Sequence, residues 1–414
     1  MGKSAAFLVI IAVTLILISL LTLGVVCFQP VKAEDQGNIT INADGSITPS
    51  TAPIQHIGNT YTLTGDVHGS ITVMRSNTTF DGNGYILTGG QGVGGLSVGC
   101  DYYSSTTSVG ASNVTVKNLT VKGSVFGISL VETTNALIFN NTISETRNGP
   151  FQPTAGIYVS GGGSNIIRGN SLINNFCGMS LIETQNSLII ENNIENNSNP
   201  AKSGYGIVSW SASNNTIYHN NFVNNDVQAY NDIFDSPFSI NIWDDGYGGN
   251  YWSDYRTKYP NAAEIGNSKI GDTAYVIDSE NRDRYPLTEP FVAPPQITLL
   301  SPVNQLYNES SVDLVFTANE AVNWTGYSLD GRQNVTVTGN STITGIPNGS
   351  HSFVVYANDT LGNMGTSGTL TFSVAVAAPA PFVLASAGLG IAVLVVGVGL
   401  FYYVKKRLAA SRGK

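Results

Sequence analysis

One frame recurs along the middle of this chain at a fixed pitch, and that pitch leaves few folds open. The apolar residue that follows Asn-x falls at Val121, Ile143, Leu172, Ile194 and Phe222, with spacings of 22, 29, 22 and 28 residues. The long spacings are 22 plus insertions of 7 and 6. Seven residues further on come Ile128, Met179 and Ala229, and in the two longer coils the equivalents are Ile157 and Ile207. The two-coil unit itself repeats, since Gly127-Ile-Ser-Leu-Val-Glu-Thr-Thr-Asn135 matches Gly178-Met-Ser-Leu-Ile-Glu-Thr-Gln-Asn186 at an offset of 51. A period of 22 built from triplets such as Val114-Thr-Val116 and Ile157-Tyr-Val159, between Asn, Gly and Ser, is too short for a helix pair or a propeller blade. It suits a coil of three short strands, stacked in parallel at roughly 4.8 Å with right-handed crossovers. The predicted fold class is therefore all-β, a right-handed parallel β-helix of about 22 residues per coil.

In that frame Asn141, Asn170, Asn192 and Asn220 occupy one corner, where Asn tolerates left-handed backbone and its amide can bond the next coil. They are predicted to form a structural ladder, which Leu119 interrupts in the preceding coil. Residues 69–230 make up the solenoid and 34–68 its N-terminal cap, because a solenoid end is an open strand edge that needs cover. The Gly- and Ser-rich segment 89–110 interrupts the pattern.

Two apolar runs frame the rest. Lys3 precedes a run from Ala5 to Val26, and Val31-Lys32-Ala33 resembles a cleavage site, so 1–33 reads as a secretory signal or an uncleaved anchor. Residues 382–404 are apolar and long enough to cross a bilayer, and the tail 405–414 that follows carries Lys405, Lys406, Arg407, Arg412 and Lys414. The expected arrangement is a single-pass cell-surface protein with its N-terminal ectodomain outside. Within 34–378 fall 12 of the 19 basic residues and all 28 acidic ones, about −16 in net charge, which argues against a nucleic-acid partner. Cys100 and Cys177 lie 77 residues apart and support no disulfide framework. Sequons make Asn38, Asn77, Asn196, Asn308, Asn323, Asn334, Asn340, Asn348 and Asn358 candidate glycosylation sites, with Asn113, Asn118, Asn140 and Asn214 inside the tight coils.

From 231 to 291 the repeat dissolves into a capping region. It holds Asn241-Ile-Trp-Asp-Asp-Gly-Tyr-Gly-Gly-Asn-Tyr-Trp-Ser-Asp-Tyr255, then Ile270-Gly-Asp-Thr-Ala-Tyr275 and Tyr285-Pro-Leu287. Together with Tyr61-Thr-Leu-Thr-Gly-Asp66 and Asp81-Gly-Asn-Gly-Tyr85, these motifs resemble the NosD-like parallel β-helix proteins, especially the secreted or anchored versions common on archaeal cells. The resemblance implies a β-helix over most of 38–291 and makes Trp243, Asp244, Trp252, Asp254 and Asp272 its capping residues. It also raises copper handling. Yet His56, His68, His219 and His351 show no ligand spacing and the methionines are scattered, so no metal residue is assigned. Calcium is the one cation left open, although Ala263-Glu-Ile-Gly-Asn-Ser-Lys269 lacks the acidic run of relatives.

After Pro294-Pro295, residues 294–376 alternate polar and apolar positions in short runs separated by turns, which predicts an immunoglobulin-like β-sandwich without a disulfide. Gly95-Leu-Ser-Val-Gly99 matches a nucleophile elbow in letters only, because no helix follows it. No catalytic residue is assigned, and enzymatic activity stays open. The leading reading is a non-enzymatic, membrane-anchored surface protein whose partners are envelope polysaccharide or glycoproteins. A polysaccharide lyase or hydrolase and a metal-binding accessory protein are the alternatives. The insertions Ser144–Ala155 and Glu195–Tyr205 interrupt the same point of coils two apart, so Arg147, Phe151, Lys202 and Tyr205 are the candidate ligand-binding residues.

Overall fold

The computed structural model describes residues 37–89, 94–99, 110–146, 154–201, 203–231, 239–377 and 387–410. The expected signal segment 1–33 and Cys100 lie outside them. The chain divides into two units, Met1–Val292 and Ala293–Lys414.

The first unit is a stack of three-stranded coils in parallel register. Face one carries Thr60–Leu63, Thr78–Asp81, Val114–Lys117, Leu137–Phe139, Ile166–Arg168, Leu188–Ile190 and Thr216–Tyr218. Face two carries Ile86–Thr88, Thr120–Lys122, Thr142–Ser144, Ser171–Ile173, Asn193–Glu195, Asn221–Val223 and Tyr251–Trp252. Face three carries Val67–Val73, Leu96–Val98, Ile128–Val131, Ile157–Ser160, Cys177–Ile182, Tyr205–Trp210 and Val227–Asn231. The sequence frame is the physical register: Val121 pairs with Ile143, Ile143 with Leu172, Leu172 with Ile194 and Ile194 with Phe222. On face three Ile128, Ile157, Met179, Ile207 and Ala229 follow one another in the same way. Two-residue periodicity turns every second side chain inward, and the members of the face-two column are fully buried.

Corners use a two-residue device. A residue in left-handed backbone is followed by a buried polar one: Asn140 (φ 54°), Gly169 (φ 60°), Glu191 (φ 59°) and His219 (φ 55°) precede Asn141, Asn170, Asn192 and Asn220. The left-handed conformation expected of the ladder asparagines thus belongs to the residue before each. That residue turns the chain while the ladder amide, at normal φ, faces inward. Each amide serves two neighbours; Asn192 Oδ1 accepts from Asn170 N at 3.0 Å, and Asn192 Nδ2 donates to Ile167 O at 2.9 Å and to Asn220 Oδ1 at 2.9 Å.

At the N-terminal end Gly37–Ile41 pairs in parallel with Val67–Val73 and lies across the open edge. At the other end an aromatic column closes the stack. Trp252 lies on Phe222 with centroids 4.5 Å apart and Tyr275 on Trp252 at 4.2 Å, both pairs nearly coplanar. Gly95–Gly99 contains the strand Leu96–Val98 of face three, a parallel ladder rather than a strand-to-helix turn.

In the second unit a three-stranded sheet (Ile297–Ser301, Val312–Ala318, Ser341–Ile343) and a six-stranded sheet centred on Gly349–Asn358 share one core. Leu314, Phe353 and Val355 are fully buried there. Leu306–Tyr307 pairs in parallel with Leu370–Val374, and the other pairings are antiparallel. A helix spans Ala387–Ala410. The expected membrane span 382–404 falls partly outside the described residues, and among those described no helix is long and apolar enough to cross a membrane.

Candidate functional site

Both insertions enter at the corner between faces two and three, next to the outer side of face three. Strand alternation puts Ser97, Ser129, Tyr158, Ser180, Val208 and Tyr230 in one outward row, each in register with the next. A second apolar cluster, separate from the coil interior, forms around this row from Phe126, Tyr158, Cys177 and Val208, with Tyr205, Trp210 and Tyr230 packed on it. Phe126 and Tyr158 meet at 4.5 Å, Tyr205 and Tyr230 at 5.3 Å. Ser129 Oγ donates to Ser97 Oγ at 2.9 Å. Ser180 Oγ, fully buried in the same row, has no hydrogen-bond partner among the described residues. Burial raises the Tyr205 phenol above its usual range, helped by Tyr230, and pushes the Cys177 thiol far up, which leaves that thiol inert.

Of the candidate ligand-binding residues, Arg147, Phe151 and Lys202 lie outside the described residues. Tyr205 is half-buried in the aromatic group. The second insertion is tied down from the following coil. Asp226 accepts from Ser198 Oγ (3.0 Å), Asn199 N (3.1 Å) and Gly204 N (3.0 Å), and Asn199 Oδ1 accepts from Ala201 N and Ser203 N. The first is pinned where it leaves face two, with Thr146 N donating to Asn175 Oδ1 at 3.2 Å.

Two further corner ladders escaped the sequence reading. Asn175, Asn197 and Asn225 form one, and their spacings of 22 and 28 were a sufficient signal. Asn165, Ser187, Asn215 and Asn241 form the other, hidden because serine breaks the run. All three end on the cap. Asn220 donates to Asn250 Oδ1, and Asn250 N donates to Asp283 Oδ2 at 2.7 Å. Asn241 N donates to Asn281 Oδ1, which also takes the Trp243 indole proton at 3.1 Å. Asn225 Nδ2 donates to Gln228, and Gln228 to Ser253.

The capping residues are therefore occupied with the cap itself. Trp252 Nε1 donates to Asp283 at 2.8 Å, Asp244 pairs with Arg284 at 2.6 Å, Asp254 accepts from the Tyr275 hydroxyl at 3.0 Å, and Asp272 accepts from Ala263 N at 3.0 Å. Burial would raise Asp244, but the Arg284 bonds outweigh it and hold its carboxyl low. Asp283, fully buried, is pushed up to about 7 by desolvation against three N–H donors. Lys258 lies over the Tyr275 ring at 4.1 Å and Arg256 donates to Ala262 O, so both basic side chains serve the packing of the cap.

Potential metal donors are dispersed. His56 stacks on Tyr61, His219 stacks on Phe291 at 4.2 Å, and His351 is held by Asp330 and the Pro347 carbonyl. Met179 is inside the core while Met74 and Met364 are exposed. Among the described residues no group of three or more His, Cys, Asp or Glu is placed to hold a metal ion.

Among sequon asparagines, Asn38, Asn77, Asn308, Asn323, Asn334, Asn340 and Asn348 are exposed, and Asn196 and Asn358 half-buried. Asn113, Asn140 and Asn214 are exposed as well, because the left-handed corner residue points to solvent.

Among solved structures, fibronectin(III)-like modules of CbhA from Clostridium thermocellum match with 18% identity over 20% of this chain and 100% of theirs, at a TM-score of 0.18. The enzymatically active domain of tailspike protein 2 of bacteriophage CBA120 matches with 12% identity over 75% of this chain and 62% of its own length, at a TM-score of 0.27. No curated protein matches. Residues 38–257, more than half of the chain, match the family described as periplasmic copper-binding protein (NosD). That stretch takes in the coils, their corner ladders and the first part of the aromatic cap, and the chain belongs to the NosD family.

Proposed function

We propose that this protein is an extracytoplasmic, glycan-binding component of the cell envelope, with the coil stack as its binding scaffold. The observation that carries the reading is the outer side of face three. Half-buried Tyr205 stands at the corner where both insertions arise, Tyr230 follows in the outward row that holds the buried, unpartnered Ser180 hydroxyl, and half-buried Trp210 ends its strand at the far side of the face. Flat apolar rings next to hydroxyl groups on a rigid sheet suit sugar rings, and loops held by a rigid scaffold are where binding residues concentrate. The second unit acts as a spacer of immunoglobulin type, a reading supported by two sheets around one core and by the parallel pairing of Leu306–Tyr307 with Leu370–Val374. Residues 382–404, followed by Lys405, Lys406 and Arg407, attach it to the membrane as a single span with the basic tail inside. The protein does not turn its ligand over.

The copper named in the family description finds no fitting donor set among the described residues, since His56, His219 and His351 are each engaged singly and Cys177 is buried as the thiol. The test is binding of full-length protein to polysaccharide extracted from its own envelope. Trp210→Ala and Tyr230→Ala should each weaken binding at least tenfold without changing the circular dichroism, and no sugar product should form. Unaltered binding by both variants, or release of a defined oligosaccharide, would reject the reading. Detergent, but not salt, should release the chain from membranes, and a chain ending at 377 should be soluble.

A further inference from the structure

Face one is flat and turned to solvent, and it carries a column that neither the coil interior nor the face-three cluster uses. In register, one coil after another, come Lys117, Phe139, Arg168, Ile190 and Tyr218. All five are half-buried by their neighbours, and none belongs to a core cluster. A parallel row two residues earlier holds Leu137, Ile166 and Leu188, with Ile166 38% exposed. Columns of left-handed asparagines border the strip: exposed Asn113, Asn135, Asn186 and Asn214 on one side, half-buried Asn118 and exposed Asn140 on the other.

We infer that this strip binds a linear, uronic-acid-containing glycan lying along the axis of the coil stack. The inference rests on the glycan-binding reading above and assigns it a second surface and a ligand class. Shape argues for a single extended chain. Strands of three residues make the strip roughly 10 Å wide, and four coil steps make it about 19 Å long. That area is roughly 200 Å², far below the about 800 Å² per partner of a stable protein interface. A peptide strand cannot add to the sheet here, because the four strands from Val114–Lys117 to Leu188–Ile190 are paired on both sides, and the outer edge of the last, Thr216–Tyr218, is met by the cap, with Ile217 N donating to Ile242 O at 2.7 Å.

Chemistry argues for sugar. Two rings separated along the column offer apolar floors, and the bordering amides offer donors and acceptors at the height of ring hydroxyls. Charge selects an acidic sugar. The Arg168 guanidinium lies over the Phe139 ring at 5.5 Å and has no carboxylate partner among the described residues. Lys117 is bonded to Asp81 at 3.0 Å. Glu191 and Asp245 stand toward the Tyr218 end, where burial and their charges raise the Tyr218 phenol. The sugar carboxylate therefore seats on Arg168, and the neutral part of the chain runs toward Tyr218.

The experiment titrates full-length protein in detergent with hexamers of galacturonate, mannuronate and hyaluronate, and with cellohexaose as the neutral control. At least one acidic hexamer should bind, at least tenfold tighter than cellohexaose. Arg168→Gln and Phe139→Thr should each reduce that binding at least tenfold with unchanged melting. If an acidic hexamer binds, the strip variants leave it unchanged and Trp210→Ala removes it, then the strip is not the site and the glycan reading stands on face three. Equal binding of acidic and neutral hexamers overturns the ligand class. No binding of any hexamer, while envelope polysaccharide still binds through Trp210, overturns the strip alone; loss of both overturns the two proposals together. Self-association abolished by Phe139→Thr would make the strip a protein interface instead.

Discussion

The coil stack and the C-terminal sandwich both bury polar side chains, but they bury different kinds. At the coil corners the ladders are built mainly of buried amides: Asn170, Asn192, Asn220, Asn197 and Asn215 are at most 1% exposed. An amide carries donor and acceptor at once, so it hands a hydrogen bond from coil to coil without carrying charge. The sandwich buries His351, 5% exposed, between two acceptors, Asp330 Oδ2 at 2.9 Å from Nδ1 and the Pro347 carbonyl at 2.8 Å from Nε2. Both ring nitrogens can donate only in the imidazolium, so the two acceptors favour the charged ring. A repeated neutral device scales with the number of coils, whereas a single charged device ties a two-sheet core to pH.

The largest effect should come from charging the coil interior. Ile143→Asp places a carboxylate in the fully buried column between Val121 and Leu172, where nothing can pair with it. It should cost on the order of 4 kcal/mol. Calorimetry of the full chain should show the first unit's transition lowered and that of the sandwich unmoved. An unchanged first transition would mean that this column does not face inward.

Removing one rung is milder. Asn192→Ala strips Asn170 N of its acceptor and the Ile167 carbonyl of its donor, and should cost about 2 to 3 kcal/mol. Amide exchange should accelerate in the two flanking coils first, since a solenoid loses stability locally. Uniform acceleration across all coils would contradict the ladder as a chain of nearest-neighbour bonds.

The pH dependence sharpens the contrast. Burial works against the His351 charge, but the bonds to Asp330 and Pro347 outweigh it and raise its pKa above the unfolded 6.5. Its contribution is fully present below that value and is lost as pH rises through the folded pKa, so the sandwich should melt lower at pH 9 than at pH 6. His351→Gln should flatten that slope. In the coil unit two groups oppose each other. Asp283, raised from 3.8 to about 7, gives stability that is lost as pH climbs through 7. His219, lowered by burial, gives stability that is present above 6.5 and lost as pH falls. The coil transition should therefore shift less than the sandwich transition between pH 6 and 9.

The smallest effect is local. Asp226→Ala removes the bonds that hold Asn199 and Gly204, and should change melting by about 1 kcal/mol or less while speeding proteolysis within 195–205. A large drop in melting temperature would mean that the insertion is part of the coil core rather than mounted on it.

Sequence alone determined the register. Spacings of 22 and 28 fixed which residues stack, because a side chain in a parallel coil meets only its equivalent one coil away. They also located the Asn141 ladder and the corner of the insertions. Tertiary structure decided which face each outward residue shares. Arg168 and Phe139 share the offset of 29 that relates Ile143 to Leu172, but only the fold shows them half-buried on the solvent side of face one with the guanidinium over the ring. It also decided where the ladders end: Asp283 and Asn281 lie outside every repeat, and only the folding back of the cap brings them under Asn250 and Asn241. Periodicity is a one-dimensional signal and survives in the sequence; the closing of an open end is a meeting of unrelated segments, set by which of them can supply the missing hydrogen bonds.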